Sequence, residues 1–148
     1  MRKTIFSVLA AGLVVTWGAN VSAADKAAQG AFDRKAAQVN ETAKRPAMIN
    51  TAIHGVSVET GVPEDRLQEM HRKNPDAGPA GILIASVMAD ETKQPPEKFL
   101  QSHMKGKTWE AIIRDNHVPV SKINDRLDHL ERFLANSETG NTPRRRQP

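Results

Sequence analysis

The segment of residues 81–89 constrains the fold most, because its side chains are apolar in almost every direction around a helix. A helix without a polar face belongs in the interior of a helical bundle. A buried β-strand would show a similar run, but the sequence contains no second candidate strand that could pair with it. The segment therefore predicts an all-α fold with this helix in the middle.

Proline and glycine divide the flanking sequence into further short helices. Apolar residues recur at three- and four-residue spacing from Met48 to Val56, which predicts a helix that stops at Gly61.

Three junctions, at residues 59–67, 91–100 and 115–123, share a helix–turn–proline–helix pattern, which is either an internal repeat or the common punctuation of short helix hairpins. Residues 56–71 and 112–129 resemble helix-turn-helix hairpins. We therefore expect a compact bundle of five to six short helices. The later helices are predicted to begin near Pro63, Pro95, Thr108 and Pro119.

The first 23 residues have the layout of a cleavable secretory signal peptide. Arg2 and Lys3 form a positive start, residues 5–17 are mostly apolar, and Val21-Ser22-Ala23 suits cleavage after Ala23. The apolar run is too short to span a membrane comfortably, so we expect removal rather than retention as an anchor. No later stretch approaches the length of a transmembrane segment. The protein is therefore predicted to be periplasmic or secreted.

The chain has no cysteine. Disulfides, a lipid-modified cysteine and thiolate metal sites are thereby excluded. A small exported domain of this kind must be stabilised by its packed core.

Two flanking segments are expected to lie outside the helical domain of residues 46–135. Residues 24–45 contain one large apolar side chain, Phe32, and are interpreted as a flexible arm or linker. Residues 136–148 contain no large apolar side chain and are interpreted as a disordered basic tail. The tail carries Arg144, Arg145 and Arg146.

The positive charge lies at the two ends of the chain. The sequence has 21 Lys and Arg against 17 Asp and Glu, and taking away the two basic residues of the signal peptide and the three tail arginines leaves 16 against 17. The predicted domain is therefore close to neutral. A nucleic-acid-binding role, which the helix-turn-helix pattern suggests, lacks the positive field that binding to phosphates requires. It is kept as an alternative that the absence of such a field disfavours.

A phosphate-binding loop and a catalytic site are not predicted. Gly106-Lys107-Thr108 resembles the end of such a loop, but Gln101 stands where the motif needs its first glycine. No serine lies in a Gly-x-Ser-x-Gly turn, and paired carboxylates lie at helix ends, where dipoles and solvent explain them. We expect no cofactor and no enzymatic activity.

A metal site is not predicted either, although a periplasmic metal-handling protein remains an alternative. No two histidines lie three or four residues apart, so no helix presents a ready pair of ligands. His103 with Met104 is the candidate pair for copper or zinc. The competing interpretation is that the methionines fill the core. The five histidines are His54, His71, His103, His117 and His129, and the four methionines at core-facing spacings are Met48, Met70, Met88 and Met104.

Trp109 is the aromatic residue with the clearest alternative roles. With Ile112 and Ile113 it reads as a core anchor, whereas an exposed ring would indicate a binding surface. The possible partner surface predicted from the sequence consists of Trp109, Lys107 and the tail arginines Arg144, Arg145 and Arg146.

Two stretches resemble a loosely defined group of small exported bacterial helical proteins. They are residues 81–89, GILIASVMA, with Thr92 after them, and residues 105–112, KGKTWEAI. The pattern of the group runs LLIA, then A-x-x-T-G-K, then G-K-G-W-x-x-I, ahead of a G-V turn and a final helix. The similarity spans residues 56–134.

This chain departs from that pattern at three positions. Lys93 stands where a glycine is usual, Thr108 replaces the second loop glycine, and His117 precedes Val118. The group has no assigned activity. The resemblance therefore implies a helical fold and export, and it transfers no catalytic residue.

The sequence thus predicts an exported, non-enzymatic helical domain with a binding or scaffolding role in the cell envelope. An envelope protein, an anionic polymer or an anionic lipid surface is the expected partner, the last two through the arginine tail. The sequence indicates neither the identity of the partner nor the oligomeric state.

Overall fold

The computed structural model describes residues 23–139, and this part of the chain is all-α, without a β-strand. The signal-peptide prediction lies outside the described residues except for Ala23, and so do Arg144, Arg145 and Arg146. The α-helices are α1 Ala23–Ala43, α2 Ile49–Thr60, α3 Glu64–Lys73, α4 Gly78–Thr92, α5 Pro96–Met104, α6 Trp109–Asp115 and α7 Val120–Glu138, with a 3₁₀ helix at Pro75–Ala77.

Helix α4 lies at the centre, as the apolar segment predicted. Ile82, Leu83, Ile84 and Met88 are fully buried. Helices α1, α2, α3, α5 and α7 all contact α4. Because other helices surround α4, none of the residues 81–89 is fully exposed to water, which explains their nearly uniform apolar sequence.

The predicted helix boundaries hold to within about one residue. Gly61 ends α2 in the left-handed conformation, with φ of 70°. The Thr108 side chain accepts a hydrogen bond of 3.2 Å from the Ala111 N–H and so caps α6. Pro63 and Pro119 lie one residue before their helices rather than at the first helical position. Both prolines have extended ψ angles, 139° and 119°, so each is the N-cap residue of its helix.

Two other turns place non-glycine residues in the left-handed region. Lys93 follows α4 with φ of 58°, and His117 follows α6 with φ of 55°. Both are positions at which the chain departs from the pattern of the resembled group, and at Lys93 that pattern has glycine. A left-handed conformation favours glycine because it has no Cβ.

Residues 24–45 are not a flexible arm in this structure, so this expectation needs correction. Almost all of them belong to α1, and Phe32, Ala36, Val39 and Ala43 are buried in the core. The expected five to six helices become seven for this reason. The four buried residues recur at four-, three- and four-residue spacing and so form one face of the helix, on which the small alanines allow close approach of the neighbouring helices.

Polar contacts also hold α1 in place. The Asp33 carboxylate accepts a 2.9 Å hydrogen bond from the Trp109 N–H at the start of α6. Along the α7 side, Gln38 donates to Glu131 at 3.0 Å, and Lys35 forms an ion pair with Asp128. The composition of residues 24–45 does not indicate these contacts, because their partners are far away in sequence.

The boundary of the expected tail also moves. Residues 136–138 form the last turn of α7 instead of belonging to a disordered segment. The Ser137 hydroxyl donates to the Phe133 carbonyl at 2.8 Å, and Arg45 pairs with Glu138. A polar helix end can thus extend beyond the last apolar residue when its side chains find partners.

Within residues 23–139, none of the helices combines the length and the apolar character required to cross a membrane.

Candidate functional site

The structure buries Trp109, so this residue does not form a partner surface. Its side chain is 2% exposed. The ring stacks on His103 with ring centroids 4.3 Å apart, and the ring edge approaches Gly81 of α4. Because Gly81 has no Cβ, the large ring of Trp109 can pack closely against α4. Trp109 is therefore part of the core.

Lys107 is exposed on the turn between α5 and α6. Its Nζ lies 3.3 Å from a carboxylate oxygen of Asp115, and its carbonyl oxygen lies 2.9 Å from Nδ1 of His103. Of the predicted partner surface, Lys107 is thus the one side chain that residues 23–139 present to solvent. The structure does not combine Lys107 and Trp109 into one surface.

Three of the five histidines contact residues other than histidine. The ring of His103 stacks on Trp109. Nδ1 of His54 lies 2.7 Å from a carboxylate oxygen of Glu64, and Nδ1 of His129 lies 3.3 Å from one of Glu59. No group of three or more histidine, aspartate or glutamate residues within the described part of the chain could hold a metal ion.

The methionines divide between core and surface. Met48, Met70 and Met88 are buried, as the core interpretation requires. Met104 is 48% exposed because it ends α5, beyond the last turn that packs on the core. The prediction of a core-facing Met104 was wrong.

A polar groove between α2, α4 and α7 is the concave surface with the most distinctive chemistry. It encloses about 460 Å³. Its floor is α4, one end is the C-terminal turn of α2, and the opposite wall is α7. The charged residues that line it are Glu59, Asp90, Glu91, Lys122, Asp125, Arg126 and His129.

Ion pairs connect the walls of this groove. Glu59 of α2, with 16% of its side chain exposed, lies 3.0 Å from Arg126 and 3.3 Å from His129 of α7. Glu91 of α4 accepts from Lys122 of α7 at 2.8 Å and 3.0 Å. The two positive side chains of the groove therefore have their charge neutralised by carboxylates on neighbouring helices.

Ser86 lies in the floor of the groove and is 5% exposed. Its hydroxyl oxygen is buried and has no hydrogen-bond partner among the groups that the structure describes. Buried polar groups nearly always have a partner, so an unmatched hydroxyl beside a cavity is a candidate ligand contact. Ser86 is also the one polar residue in the apolar run of residues 81–89, a signal by which the sequence could have identified it.

A second concavity of about 590 Å³ lies between α1, the 3₁₀ helix and the start of α4. Its wall includes Asn40, whose side chain is already bonded to the backbone at residues 77 and 80. This concavity also contains a buried atom without a hydrogen-bond partner among the described residues, Nδ1 of His71. The lining of this concavity is more apolar and carries fewer charged side chains, so the groove of α2, α4 and α7 is the stronger candidate for a charged ligand.

The lining of the groove offers polar and apolar contacts side by side. Thr60 and Val87 add small apolar surfaces beside the charged groups. The volume is within the range of small-molecule sites, but the lining is more polar than in most of them, which favours a charged ligand. The sequence alone places paired carboxylates at helix ends without a shared role, because the partners of Glu59 and Glu91 lie far away in sequence, on α7.

Comparison with protein-family models, with curated proteins and with solved structures found no match to this chain. The resemblance to small exported helical proteins therefore stays a prediction.

Proposed function

We propose that this protein is a non-enzymatic binding domain of the bacterial cell envelope and that the groove of α2, α4 and α7 is its binding site. The observation that carries the proposal is the unmatched Ser86 hydroxyl in the floor of a groove with charged walls. An unsatisfied buried hydroxyl costs about 1–3 kcal/mol, and a ligand that bonds to it removes that cost.

Binding fits the groove better than catalysis does. A serine nucleophile needs a base within hydrogen-bond distance, whereas the Ser86 hydroxyl has no such neighbour among the described residues. His129, the histidine of the groove, faces Glu59 instead. Ion pairs of Lys122 with Glu91 and of Arg126 with Glu59 connect the helices that line the groove, which favours recognition.

The location in the cell envelope is proposed from the signal-peptide pattern of the first 23 residues. The tail arginines would add attraction to anionic lipid or polymer, each charge near such a surface contributing about 1 kcal/mol. Groove and tail then have separate roles, one in ligand recognition and the other in location.

The nucleic-acid alternative gains no support from the groove. Lys122 and Arg126 of α7 are the basic residues that a recognition helix would offer, and both are paired with carboxylates. The metal alternative depends on His103, which is stacked on Trp109.

Thermal unfolding in the presence of envelope extract tests the proposal. The full-length gene is expressed in a bacterial host, and the protein is purified as the host processes it. The small-molecule fraction of a periplasmic extract is then added. A ligand at about 100 times its Kd stabilises the folded state by about 2.7 kcal/mol, a shift of several degrees in Tm.

Two matched variants connect the shift to the groove. Asp125→Arg places a long cation in the groove from an exposed position, and Asp65→Arg makes the same change on α3, outside the groove. We expect the Tm shift to persist in Asp65→Arg and to disappear in Asp125→Arg. A shift that survives in both variants, or no shift with any envelope fraction, contradicts the assignment of the groove as the binding site.

A further inference from the structure

We infer that the groove of α2, α4 and α7 binds a small organic cation with primary ammonium groups. This inference rests on the proposed binding function and specifies the chemical class of the ligand. Three observations support it: the balance of charge in the groove, the carboxylates that remain available there, and the position of the Ser86 hydroxyl.

The groove is negative. Four carboxylates line it, against the two permanent positive charges of Lys122 and Arg126. Both positive groups are bound to Glu91 and Glu59. An anionic ligand would have to compete with these carboxylates for the same donors, whereas a cation meets surplus negative charge.

Two carboxylates are available to a ligand. Asp125 of α7 is in no ion pair with the side chains that the structure describes, those of residue 30 and residues 32–139. Asp90 of α4 pairs at 3.0 Å with Lys93, and both of these side chains are about four-fifths exposed. Such an exposed pair contributes little to stability, so a ligand ammonium can replace Lys93.

The hydroxyl oxygen of Ser86 is a further acceptor in the lining of the groove. Ser86 precedes Asp90 by one helical turn, and residues four apart lie on the same face of a helix. An ammonium group has three N–H donors and no acceptor. It therefore matches a site that offers a hydroxyl oxygen and carboxylates.

The arrangement favours an organic cation over a metal ion. The groove lies wholly within the described residues, and no three carboxylate or histidine side chains there converge on one point. Divalent ions need several oxygen ligands at once. A volume of about 460 Å³ accommodates a chain of several carbons, with Val87 and Thr60 against its methylene groups.

Calorimetric titration with 1,5-diaminopentane and spermidine tests the inference, with glutarate as the anionic counterpart of similar length. Magnesium chloride at matched ionic strength controls for screening and for metal binding. The protein is the host-processed full-length product. We expect one site for the amines and no heat above dilution for glutarate or magnesium.

Variants of the available groups should change the affinity in opposite directions. Asp125→Asn should weaken diamine binding about tenfold, and Ser86→Ala about fivefold, since each removes one ligand hydrogen bond. Lys93→Gly frees Asp90 and should strengthen binding about twofold. Asp65→Asn, the matched control on α3, should leave the Kd unchanged.

Folding of the variants is checked separately by thermal unfolding. Ser86→Ala removes an unmatched buried hydroxyl, so its Tm should equal or exceed that of the parent chain. Loss of binding at an unchanged Tm then identifies a ligand contact. Amine binding that Asp125→Asn and Ser86→Ala leave intact overturns the inference.

Failure of this inference differs from failure of the proposed function. If the amines do not bind but envelope extract still shifts the Tm in a manner that Asp125→Arg abolishes, the groove is a binding site for another class of ligand. Preference for glutarate over the amines likewise overturns the cation inference alone. Absence of both the amine and the extract effect removes both.

Discussion

Asn40 is a single residue that joins two helices through both ends of its side-chain amide. Its Nδ2 donates to the Ala77 carbonyl at 2.9 Å, and its Oδ1 accepts from the Ala80 N–H at 2.9 Å. Gly78 lies between these contacts with φ of 62°, and a Cβ there would lie 2.4 Å from the Asn40 amide. The side chain of α1 thus completes the N-terminus of α4.

Substitution of Asn40 with alanine should therefore destabilise the protein by about 1–3 kcal/mol, because two part-buried backbone groups lose their partners. Chemical denaturation measures the free energy of unfolding. Asn136→Ala, at an exposed position of α7, is the control and should stay within about 0.5 kcal/mol of the parent. Equal effects in the two variants would show that the amide has no capping role.

Lys93 shows the opposite situation, a residue that is not optimal for its backbone. Its φ of 58° costs a non-glycine residue about 1 kcal/mol. Lys93→Gly should therefore raise the free energy of unfolding by roughly 0.5–1 kcal/mol, offset only slightly by the exposed pair with Asp90. Lys105→Gly, at a position with φ of −81°, is the control and should give no gain. A lower Tm in Lys93→Gly would contradict this strain argument.

At the scale of elements, α1 is the main difference between expectation and structure. Its sequence has few large apolar side chains, and an isolated helix of this composition would be marginal in water. In the folded chain it contacts α4, α6 and α7 and buries Phe32 and Val39. Its helical state therefore depends on the surfaces that the other helices provide.

Removal of residues 24–45 distinguishes a docked helix from a free arm. We expect a loss of more than about 3 kcal/mol, because burial of Phe32 alone contributes that order of stability. The measurement is the Tm of the shortened chain against the parent, together with its cooperativity. An unchanged Tm would restore the flexible-arm interpretation.

The C-terminal end gives a second element-scale prediction. Deletion of residues 140–148 should leave the Tm unchanged, since these residues include no large apolar side chain. It should also abolish salt-sensitive sedimentation with anionic vesicles, to which the three arginines would contribute.

Deletion from residue 136 onward is the comparison for stability, because it also removes the last turn of α7 and the pair between Arg45 and Glu138. Its Tm should fall by a few degrees at most, as expected for a partly exposed ion pair and one turn. Absence of vesicle binding by the parent chain would eliminate the proposed role of the tail.

At the scale of the whole molecule, close helix crossings determine how the bundle closes around the groove. Gly55 of α2 lies where α7 crosses it, and an added Cβ would lie 2.7 Å from Leu130 Cδ1 and 2.9 Å from Phe133 Cδ1. Since α2 and α7 also carry Glu59 and Arg126, this crossing sets the separation of two groove walls.

Gly55→Ala should therefore destabilise the protein by about 1–3 kcal/mol through overpacking, although alanine is the better helix former. Gly30→Ala in α1 is the matched control, because its nearest neighbour is the flexible end of Arg34 at 3.0 Å. That control should be neutral or stabilising by up to about 1 kcal/mol. If Gly55→Ala is more stable than the parent, the side chains at the crossing can accommodate a Cβ and the overpacking argument is wrong.

The candidate site was less accessible to prediction than the fold. Glu59 and Arg126 are 67 residues apart in sequence, and each alone looks like an ordinary solvated charge. Trp109 and Lys107, which were predicted as a partner surface, are local neighbours that the structure separates into core and surface. Local pattern identifies residue types, but only helix packing determines which of them face one cavity.

The sequence by itself determined the all-α class, the central place of α4 and most helix ends, because apolar periodicity, proline and left-handed turn positions act over a few residues. Tertiary structure alone decided that α1 docks and that α2, α4 and α7 enclose a negative groove. Those outcomes depend on contacts such as Asp33 with Trp109, which form only when distant helices meet. The free energy of these contacts depends on both helices being in place, so it cannot be read from the sequence of either helix alone.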